Sequence, residues 1–221
     1  MNAFLRTILL PLPPMVRWYL SKKRVYRYQG LTIDVFPGVF HPGIFFSTKM
    51  ILAFMGDQSI HNARVLEIGA GTGIISLYAA RLGAKVTATD INTTAIENIK
   101  RNAILNNVSL TTIYSDLFDK IPVERFDWVL INPPYYPKNP RTEAEFAWYC
   151  GDGHEYFKKL FAGLSEYVSP ASNVIMVLSD VCDLAHISRI AQSHQFRFVK
   201  VGQKRILVDG NNYLFSIKQI A

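Results

Sequence analysis

Short apolar runs alternate along most of the chain with segments whose apolar residues recur at helical spacing. The runs have the length and composition of buried strands and fall at residues 64–68, 85–89, 110–114, 126–131 and 173–178. The helical segments between and before them fall at residues 47–55, 74–82, 94–106 and 153–168. Strands that are separated by helices predict a parallel sheet with right-handed crossovers.

Both ends of the chain depart from this alternation. Residues 25–29 and 31–36 predict a short hairpin around Gly30, and a turn-rich loop follows it. After a helix at 182–192, strands at 196–201 and 213–220 predict an antiparallel closing pair, with residues 209–212 in the intervening loop. The predicted fold class is α/β: a Rossmann-like, seven-stranded, mostly parallel sheet with an antiparallel last strand, helices on both faces and an N-terminal β-hairpin extension.

The positive charge of the chain is concentrated at its ends. The net charge of the 221 residues is +7, yet the first 33 residues carry six cations and no acid, and the last 36 carry six cations and one acid. Such clustering attracts an anionic partner such as RNA, although solvated ends have the same composition. We divide the chain into a basic extension, residues 1–37, and a main domain, residues 38–221, for which 49% hydrophobic residues suffice to build one core.

Two features bear on where the protein is located. The apolar run at residues 8–16 contains three prolines and is too short to cross a bilayer, so we expect neither a signal peptide nor a transmembrane segment. That run either packs on the main domain or meets a partner. Cys150 and Cys182 show no metal-ligand spacing, which is typical of reduced thiols in a cytoplasmic protein. The five histidines show no ligand spacing either, so no metal is expected.

A glycine-rich turn joins the first strand of the main domain to its helix. Glu67 is followed by Gly69, Gly71 and Gly73, which allow close approach of a ligand to the backbone at a helix N-terminus. The spacing is G-x-G-x-G rather than the G-x-G-x-x-G of dinucleotide enzymes. Glu67 would repel a phosphate and suits a cationic ligand.

The next two strands also end in carboxylates. Asp90, followed by Ile91, is placed to accept hydrogen bonds from both hydroxyls of a ribose, or else to cap the helix that begins near residue 93. Asp116 is placed to accept the exocyclic amine of an adenine, with the backbone N–H of Leu117 available to a ring nitrogen.

The strand at 126–131 ends in Asn132-Pro133-Pro134-Tyr135. Two prolines cannot continue a sheet ladder, so the strand stops and presents Asn132 and Tyr135 at its carboxyl end, where open α/β sheets bind their ligands.

In order and spacing, the segments VLEIGAGTG, TATD, SDLF and INPPY resemble the motifs of class I S-adenosylmethionine-dependent methyltransferases over residues 38–220. The resemblance implies S-adenosyl-L-methionine as the cofactor, held by the residues of the glycine-rich turn and of the two acidic strand ends. In the related families a segment upstream of the first strand holds the methionyl part, and Ser47 and Thr48 are its hydroxyl candidates here. His41, in the same segment, is either a proton acceptor or a packing residue.

The Asn-Pro-Pro-Tyr motif resembles the signature of enzymes that methylate planar nitrogens: adenine N6, guanine N2 or a glutamine amide. The resemblance implies that Asn132 Oδ1 and the Pro133 carbonyl accept the N–H bonds of the acceptor while Tyr135 stacks on it, which frees the nitrogen lone pair for attack. The resemblance also places Asn132 among the residues that bind the cofactor.

The acceptor is less closely defined than the cofactor. The segment 147–153 and the helix after it resemble HemK/PrmC-type glutamine methyltransferases, which favours a side-chain amide in a protein of the translation machinery. The basic ends favour a base in RNA or DNA, and a small amine also fits. A non-catalytic binding partner with this fold is the alternative of another class; it predicts decay of the motif residues, and none of them is missing.

Overall fold

The computed structural model describes residues 18–206 and 210–220. Its first element is the predicted hairpin of β1 (Arg24–Tyr28) and β2 (Leu31–Val35), in which Tyr28 pairs with Leu31. The two turn residues, Gln29 and Gly30, have φ of 48° and 79°. Positive φ at both positions matches the right-handed twist of the flanking strands, which is why a two-residue turn closes here.

The central sheet of the described residues consists of β3 (Arg64–Ile68), β4 (Lys85–Asp90), β5 (Thr111–Tyr114), β6 (Trp128–Ile131), β7 (Asn173–Ser179), β8 (Phe196–Ile206) and β9 (Gly210–Gln219). These seven strands lie in the order β5-β4-β3-β6-β7-β9-β8. Neighbours from β5 to β7 are parallel, and β9 is antiparallel to both β7 and β8, as predicted.

Helices cover both faces of the sheet. On one face, α1 (Phe46–Gly56) and α2 (Ile74–Arg81) bury apolar side chains against alternate residues of β3, β6 and β7, and α3 (Thr93–Leu105) packs on β4 and β5. On the other face, α4 (Glu155–Leu164) and α5 (Leu184–Ser193) pack against the intervening residues of β3, β6 and β7. Parallel strands covered on both faces must be apolar throughout, and all four residues of β6 are buried.

Several element ends differ from the sequence prediction. The helix predicted at 153–168 is shorter at both ends, because His154 adopts a left-handed φ of 60° and Tyr167 leaves the helix to accept a hydrogen bond from the Phe126 backbone N–H. The last strand begins at Gly210 rather than at residue 213. The Asp180 carboxylate accepts hydrogen bonds from the backbone and side-chain N–H groups of Asn211. These bonds hold Asn211 in position, so the strand begins within residues 209–212, which were predicted to form a loop.

The hairpin is joined to α3 by an unusual set of side-chain hydrogen bonds. Asn98, Asn102 and Asn106 are spaced one helical turn apart, and each amide oxygen accepts from a backbone N–H of the β2 segment while its nitrogen donates to a carbonyl of β2. The three amides therefore satisfy the hydrogen-bonding groups along one edge of the hairpin, as a neighbouring strand would.

The domain boundary between residues 37 and 38 stays a prediction.

Across residues 18–206 and 210–220, none of the helices has both the length and the apolar character that crossing a bilayer would require. The apolar run at residues 8–16 and Asp209, the first residue of the predicted loop at 209–212, lie outside the described residues.

Candidate active site

A pocket opens at the carboxyl ends of the parallel strands, where the strand order reverses between β3 and β6. The structure brings nearly all the predicted site residues into its lining: Ser47, Thr48, Glu67, Gly69, Gly71, Asp90, Ile91, Asp116, Leu117, Asn132, Pro133 and Tyr135. Gly73 is not among the lining residues. The lining residues at the ends of β3, β4 and β5 lie on one side of the point where the strand order reverses, and the lining residues that follow β6 lie on the other side.

The three glycines of the turn have different environments. Gly69 and Gly71 have φ of 70° and 55°, and a Cβ added at Gly69 would meet nothing within 4 Å, so this backbone faces open space in the pocket. Gly73, with φ of 77°, begins α2 and would place a Cβ 3.0 Å from Ile99. The structure thus gives Gly73 a packing contact between α2 and α3, whereas the first two glycines present bare backbone to the pocket.

Glu67 is 3% exposed and closes the floor of the pocket from the end of β3. Its Oε2 accepts hydrogen bonds from the backbone N–H of Ser76, at 2.7 Å, and from the Ser76 hydroxyl. Burial raises the pKa of Glu67 to about 8, against the lowering effect of the Ser76 hydrogen bonds. The carboxyl group is therefore held in place by α2.

Asp90 connects the glycine-rich turn with the end of β4. Its two oxygens accept hydrogen bonds from the backbone N–H groups of Gly71 and Asn92, both at 2.8 Å. Burial raises the pKa of this carboxyl group. The helix cap of α3 is Asn92, whose side chain accepts from the N–H of Thr94. The capping alternative for Asp90 is thus wrong, and its carboxylate remains directed to the pocket.

Asp116 and Leu117 form the far wall beyond β5. The Asp116 carboxylate pairs with Lys159 Nζ at 2.6 Å, and the same ammonium reaches Asp119 at 2.7 Å. Leu117 is buried with φ of 51°, a left-handed conformation that L-residues other than glycine seldom adopt. This strained turn bends the backbone along the pocket wall immediately after Asp116.

Asn132 stands between the two halves of the pocket. Its Nδ2 donates to the Thr48 hydroxyl of α1 at 3.5 Å, and its Oδ1 accepts from the Tyr135 hydroxyl at 3.5 Å. These long contacts orient the amide, with the oxygen on the side of the Asn-Pro-Pro-Tyr loop. Thr48 is 3% exposed, so this hydroxyl is fixed within the body of the domain.

Aromatic rings form the outer wall of the pocket. Phe40, Phe45 and Trp148 pack mutually with ring centroids 5.1–5.3 Å apart, and all three line the pocket. The segment that carries Trp148 is fastened across the opening by Glu143, whose carboxylate accepts from the N–H and hydroxyl of Thr93 at 2.9 and 2.8 Å. The loop after β6 therefore spans the cleft to the start of α3.

Comparison with known families supplies the identification. Residues 30–148, more than half of the chain, match the family model of the methyltransferase small domain. The chain belongs to this family. It is an S-adenosylmethionine-dependent methyltransferase, and the match begins in the hairpin and includes the glycine-rich turn, both acidic strand ends and the Asn-Pro-Pro-Tyr loop.

Two relatives of this methyltransferase differ in how much of their length they share with it. It is 33% identical over 163 residues to a Methanocaldococcus jannaschii protein named "Putative protein N5-glutamine methyltransferase", covering 71% of this chain and 80% of that one. It is 34% identical over 124 residues to the ribosomal RNA small subunit methyltransferase C of Buchnera aphidicola, covering 54% of this chain but only 35% of the relative.

Solved structures share the fold of this methyltransferase at low sequence identity. The T. thermophilus 16S rRNA N2 G1207 methyltransferase, in complex with AdoMet and guanosine, superposes with a TM-score of 0.64 at 18% identity, covering 90% of this chain and 50% of that one. A chain of the E. cuniculi Mtq2–Trm112 complex gives 0.63 at 18% identity, covering 82% and 99%.

Sequence reasoning missed several residues of the pocket. Tyr156 of α4, Ser179 at the end of β7 and Asn212 of β9 line it. Ser179 follows an unbroken apolar run, and Asn212 falls in a Gly-Asn-Asn stretch that is typical of turns, so neither position carried a signal of its own. Burial, with Asp90 and Asp116 nearby, raises the pKa of Tyr156 far above its usual range, so its hydroxyl is protonated.

His41, for which the sequence left two roles open, has a packing environment. His41 is not among the pocket-lining residues; its Nδ1 accepts from the Gly43 N–H at 3.1 Å and its ring lies near Tyr19 and Tyr26. Burial lowers its pKa, which keeps the ring neutral. Packing, the second alternative, is thus the role that its contacts support.

Proposed function

We propose that this methyltransferase transfers a methyl group from S-adenosylmethionine to the side-chain amide nitrogen of a glutamine-type residue in a protein of the translation machinery. The observation that carries the proposal is the position of Asn132. Its amide lines the same pocket as the carboxylates of β3 and β4, and its oxygen lies on the side of the Asn-Pro-Pro-Tyr loop.

The pocket residues fit the parts of the cofactor. The bare backbone at Gly69 and Gly71 leaves room for the ligand chain, and the hydroxyls of Ser47 and Thr48 would bind its methionyl end. Asp90 would accept from the ribose hydroxyls, and Asp116 with the N–H of Leu117 would bind the adenine. Bound S-adenosylmethionine supplies an electrophilic methyl group; the protein has only to position it.

On the acceptor side, the chain must overcome the poor nucleophilicity of an amide. The nitrogen lone pair is delocalised, and it becomes available when the N–H groups are held out of conjugation. Asn132 Oδ1 and the Pro133 carbonyl would accept one N–H each, while Tyr135 would stack on the planar group. No strong base is required, because methylation makes the nitrogen acidic and its proton then passes to water.

Two observations favour a protein acceptor over a nucleobase. The relative named for N5-glutamine methylation is matched over 80% of its length, whereas the ribosomal RNA enzyme is matched over 35%. In addition, two cations of the described part of the N-terminal extension, Lys23 and Arg24, are engaged within the protein. Lys23 pairs with Asp34 at 2.7 Å, and Arg24 stacks on Tyr19 while donating to its carbonyl. A base in RNA or DNA remains the second candidate, and the exposed cations of β8 support it.

Label transfer tests the proposal. The full chain is incubated with methyl-labelled S-adenosylmethionine and a cell extract, with and without ribonuclease, and the products are hydrolysed to amino acids and bases. We expect label in polypeptide, resistant to ribonuclease and recovered as N5-methylglutamine. Label in a methylated base would contradict the acceptor. Absence of any label, together with no heat on titration with S-adenosylhomocysteine, would favour the non-catalytic alternative.

The two buried thiols, Cys150 and Cys182, are both free in the structure. We propose a cytoplasmic location on this basis, since reduced cysteines are the rule in that compartment.

A further inference from the structure

Three adjacent strands deliver polar side chains to the acceptor side of the pocket. Asn132 follows β6, Ser179 ends β7, and Asn212 lies near the start of β9, where it pairs with Ser179 across the sheet. Because β9 runs antiparallel to β7, its first residues lie at the same rim as the carboxyl ends of β6 and β7. All three side chains line the one pocket.

Two of these side chains are buried without a partner. Asn212 is 1% exposed and Ser179 is 2% exposed, and neither Asn212 Nδ2 nor Ser179 Oγ has a hydrogen-bond partner among the described residues. The nearby Asp180 carboxylate binds Asn211 through Oδ2, and its Oδ1 is buried without a partner, as the two donors are. The Cys182 thiol, which interacts with the Ser179 side chain, stays protonated because burial raises its pKa to about 12, and a protonated thiol is only a weak hydrogen-bond partner.

Buried polar groups in native proteins nearly always have hydrogen-bond partners, so an unpartnered pair that faces a ligand pocket requires an explanation. The amide nitrogen of Asn212 can only donate, and the hydroxyl of Ser179 can donate as well. Two donors from residues that pair across the sheet match an sp² oxygen, which has two lone pairs. A ring nitrogen beside a nucleobase amine offers a single lone pair.

We infer that Asn212 and Ser179 together bind the carbonyl oxygen of the acceptor carboxamide while Asn132 and Pro133 hold its nitrogen. This inference rests on the proposed function. The two residues select and orient the acceptor; they do not activate it, since donation to the oxygen does not free the lone pair of the nitrogen. They are specificity-determining residues for a carboxamide as against an aryl amine.

The test compares Asn212→Leu and Ser179→Ala with matched controls. Asn173→Leu and Ser216→Ala change the same residue types in β7 and β9 at positions that do not line the pocket. We expect each pocket variant to slow label transfer into ribonuclease-treated extract about tenfold at low acceptor concentration, the loss typical of one hydrogen bond. Affinity for S-adenosylhomocysteine should stay within about twofold of wild type, and both controls should transfer label normally.

Stability supplies a readout that a purely structural role would not give. Because the Asn212 amide nitrogen is unpartnered, Asn212→Leu should not lower the midpoint of thermal unfolding, although it lowers the transfer rate. A lowered midpoint with unchanged transfer would overturn the inference.

A second measurement uses the wild-type fold and so does not depend on a variant's folding. The ¹⁵N-labelled protein in complex with S-adenosylhomocysteine is titrated with two probes, N-acetylglutamine methylamide and N-acetylnorvaline methylamide. The second probe lacks the side-chain carboxamide. We expect the side-chain NH₂ signals of Asn212 to shift with the first probe alone. Equal behaviour with both probes would overturn the inference.

The outcomes separate the two proposals. If wild type labels polypeptide and Asn212→Leu does so equally fast, the inference fails and the proposed function stands. If wild type labels a nucleobase, both fail. If wild type transfers no label at all, the proposed function fails, and the NMR titration alone decides the inference.

Discussion

Two buried carboxyl groups, Glu67 and Asp90, define the chemistry of the site at the scale of single residues. Both lie at the ends of neighbouring strands, and both have a raised pKa because burial disfavours their charged forms. Backbone N–H groups offset part of this cost: Ser76 donates to Glu67, and Gly71 and Asn92 donate to Asp90. Each acid is therefore pre-positioned, and its remaining acceptor capacity faces the pocket.

Replacing Asp90 tests its role toward the cofactor. Asp90→Ala removes the proposed ribose contacts and the support of the glycine-rich turn, so the affinity for S-adenosylhomocysteine should fall by about tenfold or more in calorimetry, the value of one charge-assisted hydrogen bond. Asp57→Ala, at an exposed acid beyond α1, is the control and should bind normally. Equal affinity of wild type and Asp90→Ala would remove Asp90 from the cofactor site.

The raised pKa of Glu67 predicts a pH dependence of stability. In the unfolded chain this acid ionises near 4.5, whereas in the folded protein its pKa is about 8. Between pH 4.5 and pH 8, Glu67 is ionised in the unfolded chain but protonated in the folded protein. Ionisation therefore stabilises the unfolded state alone, by about 1.4 kcal/mol for each pH unit. Above pH 8 the acid is ionised in both states, and the effect stops growing. The free energy of unfolding contributed by Glu67 thus falls as the pH rises through this window.

Glu67→Gln isolates this contribution because a glutamine oxygen can still accept from Ser76. Denaturant unfolding of both proteins at pH 5 and pH 8, without cofactor, gives four free energies. We expect the free energy of unfolding of Glu67→Gln, taken relative to that of wild type, to be higher at pH 8 than at pH 5. A difference between the proteins that does not change with pH would show that Glu67 ionises normally.

At the scale of elements, the asparagines of α3 explain how a five-residue strand is held at the periphery of the domain. Asn102 is fully buried, accepts from the Asp34 N–H at 2.8 Å, and donates to the carbonyls of Asp34 and Thr72, both at 2.9 Å. One amide therefore connects α3 to the hairpin and to the glycine-rich turn.

Removing this amide should destabilise the protein. Asn102→Ala leaves buried backbone groups of β2 and of the turn unsatisfied, which costs about 1–3 kcal/mol in the free energy of unfolding. Lys100→Ala, at an exposed position of the same helix, should change it by less than about 0.5 kcal/mol. Chemical denaturation measures both, and equal values for the two variants would refute the bridging role.

The elements differ in how far the sequence predicts them. The strands of the parallel sheet were predictable because they are short runs rich in apolar or β-branched residues, and β4, β5 and β6 end at or just before Asp90, Asp116 or two prolines. The start of β9 was not, because its first residues are turn formers and pair through the distant Asp180. The start of α4 was missed for a similar reason: the left-handed backbone of His154 is set by tertiary contacts rather than by local propensity.

At the scale of the whole molecule, the charge distribution and the site point to different acceptors. The +7 net charge favours an anionic partner, but Lys23 and Arg24 make internal contacts with Asp34 and Tyr19. Composition alone could not show this, because a charge that is paired in the folded protein contributes to the same sum as a free one. Substitution of these cations would disturb the hairpin, so it is a poor test of RNA binding.

The lining of the pocket was predicted in part. The residues proposed for the cofactor follow from local motifs, since each lies next to its own strand end. The residues proposed for the acceptor are Asn132, Ser179 and Asn212, which come from three strands far apart in the sequence. Only the strand order of the folded sheet brings them together.

The most direct test of the account is methyl transfer by Asn132→Ala, with cofactor affinity measured on the same protein. A missing positioning contact in a transition state costs about 3 kcal/mol, so label transfer should fall by about two orders of magnitude or more while S-adenosylhomocysteine binds nearly as well as to wild type. Asn173→Ala is the matched control. Undiminished transfer by Asn132→Ala would contradict the claim that this amide holds the acceptor nitrogen.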